Sequence, residues 1–154
     1  IAFVLERAGI DDDLFVAASD NLFTFPLSDF AADFRRHGRD LLLGTRIDDV
    51  DTLRRYAVAA LDGENRVLSL VEKPQEPQSH IGICAIYLYR RDTAPLFSAM
   101  IAEYRAAGKR PDAPGYFAEW LCKRKEVRVY LASGECVDIG TVESYREVCT
   151  RWTN

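Results

Sequence analysis

Four short stretches hold the residues that could do chemistry. Ser19-Asp20-Asn21 stops the apolar run Leu14 to Ala18, and Leu22 and Phe23 resume it at once. Glu72-Lys73-Pro74 ends the β-rich run Arg66 to Val71. Arg110 to Leu121 reads RPDAPGYFAEWL, and Cys136 to Tyr145 reads CVDIGTVESY. In open α/β sheets, ligands bind just beyond the carboxyl ends of the strands. Asp20 and Asp138 both stand where an apolar run gives way to the next element. Two carboxylates meeting at such an edge make a hard-oxygen site. Mg²⁺ suits it, because that ion takes one or two protein carboxylates and fills the rest with water and substrate phosphate. Glu72 adds an acceptor for hydroxyls, and Lys73 a point charge for a phosphate. The set fits a phosphorylated sugar. Each stretch also has a structural reading. Asp and Asn make tight turns, Glu-Lys before a proline suits a solvated strand end, and Asp138-Ile-Gly-Thr suits a turn into a helix. Asp112-Ala-Pro-Gly is turn chemistry in any case. His37 and His80 read as surface or core residues, and Trp120 and Trp152 as packing.

The elements that must position these residues alternate between strand and helix. Ile1 to Ala8 suggests a helix. Leu14 to Ala18 suits a strand buried on both faces. Leu27 to His37 carries Leu27, Phe30, Ala31 and Phe34 at helical spacing, with Ser28 as N-cap and Gly38 as stop. LLLGTRI, from Leu41, is the next strand. Tyr56 to Leu61 and Arg66 to Val71 flank Asp-Gly-Glu-Asn and form a hairpin. IGICAIYLY, from Ile81, is a long strand. Thr93 to Ala107, closed by Gly108, and Tyr116 to Lys123 suit helices. VRVYLA and ECVDIG read as a strand pair around Ser133-Gly134. Val142 to Trp152 is a last helix, capped by Thr141 and with Glu143 in its first turn. The pattern predicts one α/β domain over residues 1–154, with a mixed sheet and flanking helices.

Composition sets the class. The chain has 154 residues, 48% hydrophobic and 29% charged, which is globular and not disordered. The net charge of −4 argues against a broad nucleic-acid surface. No run is long enough for a membrane span, and no signal peptide is visible, so a cytoplasmic location is expected. Cys84, Cys122, Cys136 and Cys149 are widely spaced, with only two histidines, so buried free thiols are expected and not zinc.

Taken in order, SDNLF, YAVA, EKP, ICAIY, RPDAPGYFAEWL and CVDIGTVESY resemble the sugar nucleotidyltransferase family, most of all its glucose-1-phosphate thymidylyltransferase-like branch. The resemblance runs from Asp11 to Arg146. It implies a Rossmann-like mixed sheet, a truncated nucleotide-diphospho-sugar transferase fold. It implies transfer of a nucleotidyl group from a nucleoside triphosphate, dTTP or UTP, to a sugar 1-phosphate, with release of pyrophosphate. Asp20 and Asp138 match the two metal-binding aspartates, and Mg²⁺ is the implied cofactor. Glu72 matches the acid on the sugar hydroxyls and Lys73 the lysine on the sugar phosphate. Ile83 matches a backbone contact, and Ala57 a glycine whose backbone meets the sugar. Asn21 lies beside the expected metal-bridged phosphate.

The chain departs from the family pattern in two ways. The Gly-rich loop Gly-Gly-Xaa-Gly-Thr-Arg-Leu that holds the triphosphate is absent from these residues. The chain is therefore expected to be a C-terminal portion, inactive alone, with open sheet edges that favour a homo-oligomer. Ser19, Ala57 and Ala85 stand where the family has glycine, and Cys136 where it has tryptophan. These substitutions leave open a non-catalytic domain with a regulatory or assembly role. A phosphatase-like α/β domain using Asp11 to Asp13 and Ser19-Asp20-Asn21 as metal acids is a weaker reading, because Asp11 to Asp13 precede the strand.

Overall fold

The structure is a computed structural model and describes residues 1–111 and 113–152, the Trp152 side chain excepted. Asp112 of the expected turn and the packing of Trp152 lie outside the described residues. In chain order the elements are α1 (Ala2–Ala8), β1 (Leu14–Ala17), β2 (Asn21–Phe23), α2 (Leu27–His37), β3 (Asp40–Arg46), α3 (Val50–Leu53), β4 (Ala57–Leu61), β5 (Val67–Glu72) and β6 (Ile81–Tyr89). A short 3₁₀ turn at Arg91–Thr93 leads to α4 (Leu96–Ala106), α5 (Pro114–Cys122), β7 (Val127–Leu131), β8 (Cys136–Asp138) and α6 (Val142–Trp152).

The main sheet is built around β6, the longest strand. One edge of β6 pairs antiparallel with β3. Its other edge is shared, with β1 beside the end of the strand and β4 beside its start. β7 runs parallel to β3, and β5 closes the hairpin with β4. The sheet is mixed and helix-flanked, as the alternation of elements implied. Strand β6 and the Leu41–Leu43 run of β3 are apolar because both their faces are covered. Leu42, Ile83, Tyr87 and Tyr89 join Phe97, Phe117 and Leu121 of α4 and α5. Leu41, Leu43, Cys84 and Ile86 join Phe30 and Phe34 of α2. Each fully buried Leu, Ile or Phe contributes about 1.5–3 kcal/mol.

Several boundaries differ from the sequence reading for identifiable reasons. α2 ends as expected, with Gly38 in the left-handed region at φ 57° and its N–H bonded to the Phe34 carbonyl at 2.9 Å. Its N-cap, however, is Pro26, and Ser28 lies inside the first turn with its hydroxyl on Asp29. β1 is buried on one face only, and Phe15 is 53% exposed. α4 starts at Leu96, not Thr93, because the Thr93 hydroxyl is committed to Asp40. Cys84 and Cys136 are buried, but Cys149 on α6 is exposed. β7 and β8 do not pair with each other: β7 lies on β3, and β8 crosses to β2. Ala132 donates to Gly44, the last bond of that edge, and at Gly134 the chain turns against Thr24 and Phe25.

At the start of β3 a polar knot holds the far end of the sheet. Asp40 is fully buried. It accepts the Arg90 N–H at 2.7 Å, the Thr93 hydroxyl at 2.8 Å and the Lys125 ammonium at 2.9 Å. A buried carboxylate needs such partners, and removing one leaves an uncompensated charge. Lys125→Met should therefore lower the unfolding free energy by about 3 kcal/mol. The double variant Asp40→Asn, Lys125→Met should recover part of that loss. Urea midpoints at unchanged slope check both.

Candidate active site

The site begins with a two-stranded ribbon. β2 and β8 pair antiparallel, with Asn21 opposite Asp138, Leu22 opposite Val137 and Phe23 opposite Cys136. The ribbon continues at both ends, where Ile139 donates to the Asp20 carbonyl at 2.8 Å and Thr24 to the Glu135 carbonyl at 3.1 Å. Residues from opposite ends of the chain are thus held in one register. The Asp138 carboxylate accepts the Gly140 N–H at 2.8 Å, and Asp20 accepts from the Asn21 amide at 3.3 Å. A methyl group on Gly140 would stand 3.0 Å from Asp138 Oδ1 and 3.3 Å from Asp20 Oδ2. Both carboxylates therefore flank the same glycine. Thr141 then caps α6, its hydroxyl accepting the Ser144 N–H at 3.1 Å.

The second wall comes from the end of the β4–β5 hairpin. Ala57 pairs with Glu72 on one side and with Ile83 on the other. Lys73 follows in the left-handed region, at φ 47°, which a non-glycine residue adopts only under constraint. The constraint is its N–H, bonded to the Tyr56 carbonyl at 3.1 Å. Tyr56 in turn reaches the ribbon, its hydroxyl donating to the Cys136 carbonyl at 3.4 Å. One residue thus touches both halves of the site. α3 delivers it: Asp49 caps that short helix by accepting the Thr52 N–H at 2.8 Å, so Arg55 and Tyr56 emerge at the cavity.

The third wall is the first turn of α5. A Cβ on Gly115 would lie 1.7 Å from Glu72 Oε2, so the Glu72 carboxyl occupies the space that any other residue would fill. Pro114 at the first helical position has no N–H to leave unsatisfied. Glu119 from the next turn accepts the Glu72 N–H at 3.3 Å and pairs with Lys123 at 2.8 Å.

These walls enclose a cavity of about 220 Å³. Every residue singled out from the sequence lines it: Asp20, Asn21, Ala57, Glu72, Lys73, Ile83 and Asp138. Arg55, Tyr56, Tyr87 and Gly115 also line it and were not singled out as site residues. Tyr87 was within reach of a period-two argument, since Ile83, Ala85 and Tyr87 fall on one face of β6. Arg55 and Tyr56 carried only their adjacency to Ala57. Burial pushes the Tyr56 phenol up to about 12. Burial, with the Glu72 charge beside it, pushes Tyr87 up as well. Both hydroxyls are therefore proton donors at neutral pH. The cavity combines three acids with two cations, Arg55 and Lys73. Among the described residues no group of three or more His, Cys, Asp or Glu side chains could hold a metal ion. The Asp20–Asp138 pair matches a cation that takes few protein ligands, as Mg²⁺ does.

Comparison with known proteins agrees with this architecture. The chain is 29% identical over 140 residues to a glucose-1-phosphate thymidylyltransferase of Streptomyces griseus, covering 90% of this chain and 38% of that one. It is 26% identical over 141 residues to a glucose-1-phosphate adenylyltransferase of Thermomicrobium roseum, covering 88% and 31%. The chain thus spans about a third of the length of these curated relatives. In fold it is similar to a UDP-glucose pyrophosphorylase complexed with UDP-glucose, at a TM-score of 0.77 and 16% identity over 98% of this chain and 59% of that one. It is also similar to a UDP-glucose pyrophosphorylase from Acinetobacter baumannii, at a TM-score of 0.71 and 15% identity over 96% and 53%. The family model for nucleotidyl transferases matches residues 1–154. The chain belongs to the nucleotidyl transferase family.

Proposed function

We propose that this chain is the sugar-phosphate-binding part of a sugar-1-phosphate nucleotidyltransferase. The whole protein would transfer a nucleotidyl group from a nucleoside triphosphate, dTTP or UTP, to a sugar 1-phosphate and release pyrophosphate. The observation that carries the reading is the meeting of Asp20, Glu72, Lys73 and Asp138, from three separate stretches of sequence, around one cavity. The sugar would lie between Glu72, which accepts its hydroxyl hydrogens, and the paired backbones of Ala57 and Ile83. Lys73 would neutralise the sugar phosphate, with Arg55 as a second cation at the same cavity. Tyr87 would stay protonated and offer a hydrogen bond, and Tyr56 would brace the wall through its own bond to the Cys136 carbonyl. Asp20 and Asp138 would hold Mg²⁺, whose charge would offset that of the phosphates. Asn21 would orient the Asp20 carboxylate.

The chemistry follows from charge. A sugar phosphate is already an anion, so its oxygen attacks the α-phosphorus without a general base. One P–O bond forms, the α–β P–O bond breaks, and pyrophosphate leaves. Catalysis is then positioning and electrostatic stabilisation. The triphosphate itself needs a backbone cradle, and no Gly-rich loop is found in these residues. The substitutions Ser19, Ala57, Ala85 and Cys136 favour a second reading, a non-catalytic domain of the same family. The two separate on pyrophosphate release by the full-length gene product with a sugar 1-phosphate and dTTP or UTP, which the second reading forbids.

Calorimetric titration of the chain with a nucleoside diphosphate sugar should show binding that depends on Mg²⁺. Asp138→Asn should weaken it by about tenfold or more, the equivalent of about 1.4 kcal/mol. Binding by the parent chain that ignores Mg²⁺ would remove the metal from the reading. Gly115→Ala should displace the Glu72 carboxyl and weaken binding as much as Glu72→Gln does, while leaving the Mg²⁺ dependence in place. Unchanged affinity in Gly115→Ala, with circular dichroism like that of the parent, would separate Glu72 from the sugar.

A further inference from the structure

The candidate site is made of two bodies that meet at one side chain. Asp20 and Asp138 belong to the β2–β8 ribbon, which forms a sheet of its own. Glu72 and Lys73 end the β4–β5 hairpin, which belongs to the main sheet. Tyr56 touches both. Its root is fixed on the main-sheet side, where its N–H donates to the Leu53 carbonyl at 3.0 Å and its carbonyl accepts the Lys73 N–H at 3.1 Å. Its Cβ also lies over Gly82 of β6, where an added methyl group would stand 3.6 Å from it. Its tip is on the ribbon, with the hydroxyl donating to the Cys136 carbonyl at 3.4 Å.

Strand geometry explains why that carbonyl is open. Bonded and non-bonded pairs alternate along an antiparallel ladder. The ribbon is bonded at Thr24 with Glu135 and at Asp20 with Ile139. Cys136 and Asp138 therefore fall at non-bonded positions, and Cys136 directs its carbonyl away from β2. A carbonyl in that position needs another donor, and Tyr56 supplies one, two residues before Asp138. Space lies on both sides of this contact. Tyr56 lines the candidate cavity of about 220 Å³ and, with Cys136, a second cavity of about 380 Å³. The side chain is thus a partition held by bonds at its two ends.

We infer that the Tyr56 hydroxyl is a positioning group that locks the carboxylate-bearing ribbon to the Glu72–Lys73 wall, so that a cation on one half and a sugar phosphate on the other bind cooperatively. With the lock in place, Asp20 and Asp138 keep a fixed placement relative to Lys73, and each ligand strengthens the binding of the other by the same factor. Without it, two three-residue strands hold the carboxylates less firmly, because so short a ribbon is marginal in water. The cation then has less effect on the phosphate. The cooperativity rests on the function proposed above, whereas the lock is a property of the unliganded chain.

The test is Tyr56→Phe in the 154-residue chain, which keeps the ring and removes the hydroxyl. In the unliganded variant, amide exchange followed by NMR should be about fivefold faster at Thr24 and Ile139, whose N–H groups close the ribbon, the factor that one neutral hydrogen bond gives. The Arg90 N–H, bonded to Asp40 at the far end of the sheet, should exchange at the parent's rate. Unchanged exchange at Thr24 and Ile139 overturns the lock. Equal acceleration at Arg90 overturns it too, since Tyr56 would then stabilise the whole domain. Calorimetric titration with glucose 1-phosphate reads the cooperativity. Mg²⁺ should tighten binding by the parent, and its effect should be about fivefold smaller in Tyr56→Phe, with the Mg²⁺-free affinity unchanged. An undiminished Mg²⁺ effect in the variant overturns the cooperative role. Binding by the parent that ignores Mg²⁺ overturns the functional reading and the cooperativity with it, and the lock then stands or falls on the exchange rates.

Discussion

The antiparallel pairing of β2 with β8 is the constraint on which the candidate site depends. Each strand has only three residues, and neither joins the main sheet. Their ribbon nevertheless sets Asn21 against Asp138 and brings Asp20 to the same glycine, Gly140. Period-two geometry makes the register all-or-none, because a slip of one residue would turn Asp138 to the opposite face. The ribbon is secured from outside. Thr24 and Glu135 exchange two hydrogen bonds at one end, and Tyr56 reaches the Cys136 carbonyl from the hairpin side. Short strands need such additional ties, since an isolated two-stranded hairpin is marginal in water.

Rigidity and strain are distributed unevenly around this ribbon. The far end of the sheet is fixed by Asp40 with Lys125, Thr93 and the Arg90 backbone, and by Tyr89, whose ring meets Phe97 and Phe117 edge to face. The site end holds Lys73 in a left-handed conformation and Glu72 where only a glycine leaves room. A non-glycine residue in that region costs on the order of 1–3 kcal/mol. It persists because Lys73 is bonded back to Tyr56. Strain kept at the site and satisfied packing kept away from it are consistent with a surface shaped for a ligand.

Much of the fold was legible because local physics dominates there. α2 spans the expected Leu27–His37, since Phe30 and Phe34 recur at helical spacing and Gly38 alone suits the left-handed stop. β6 and the hairpin around Asp-Gly-Glu-Asn were legible for the same reason, as Asp62 accepts the Glu64 and Arg66 N–H groups across the turn. The errors came where distant residues decided. Ser28 has the chemistry of a cap, but the entry angle through Pro26 placed it inside the helix. β7 and β8 are separated by turn residues, and nothing local shows that each strand has a different partner.

The sequence by itself determined the alternation of elements and the residue types suited to a cation, a phosphate and a hydroxylated ligand. These follow from side-chain period, turn chemistry and charge, which act over a few residues. Only the tertiary structure decided that Asp20 meets Asp138, that Gly115 makes room for Glu72, and that Arg55, Tyr56 and Tyr87 share their cavity. Those contacts join residues far apart in the chain, and their geometry is set by how strands and helices stack, which no local pattern encodes.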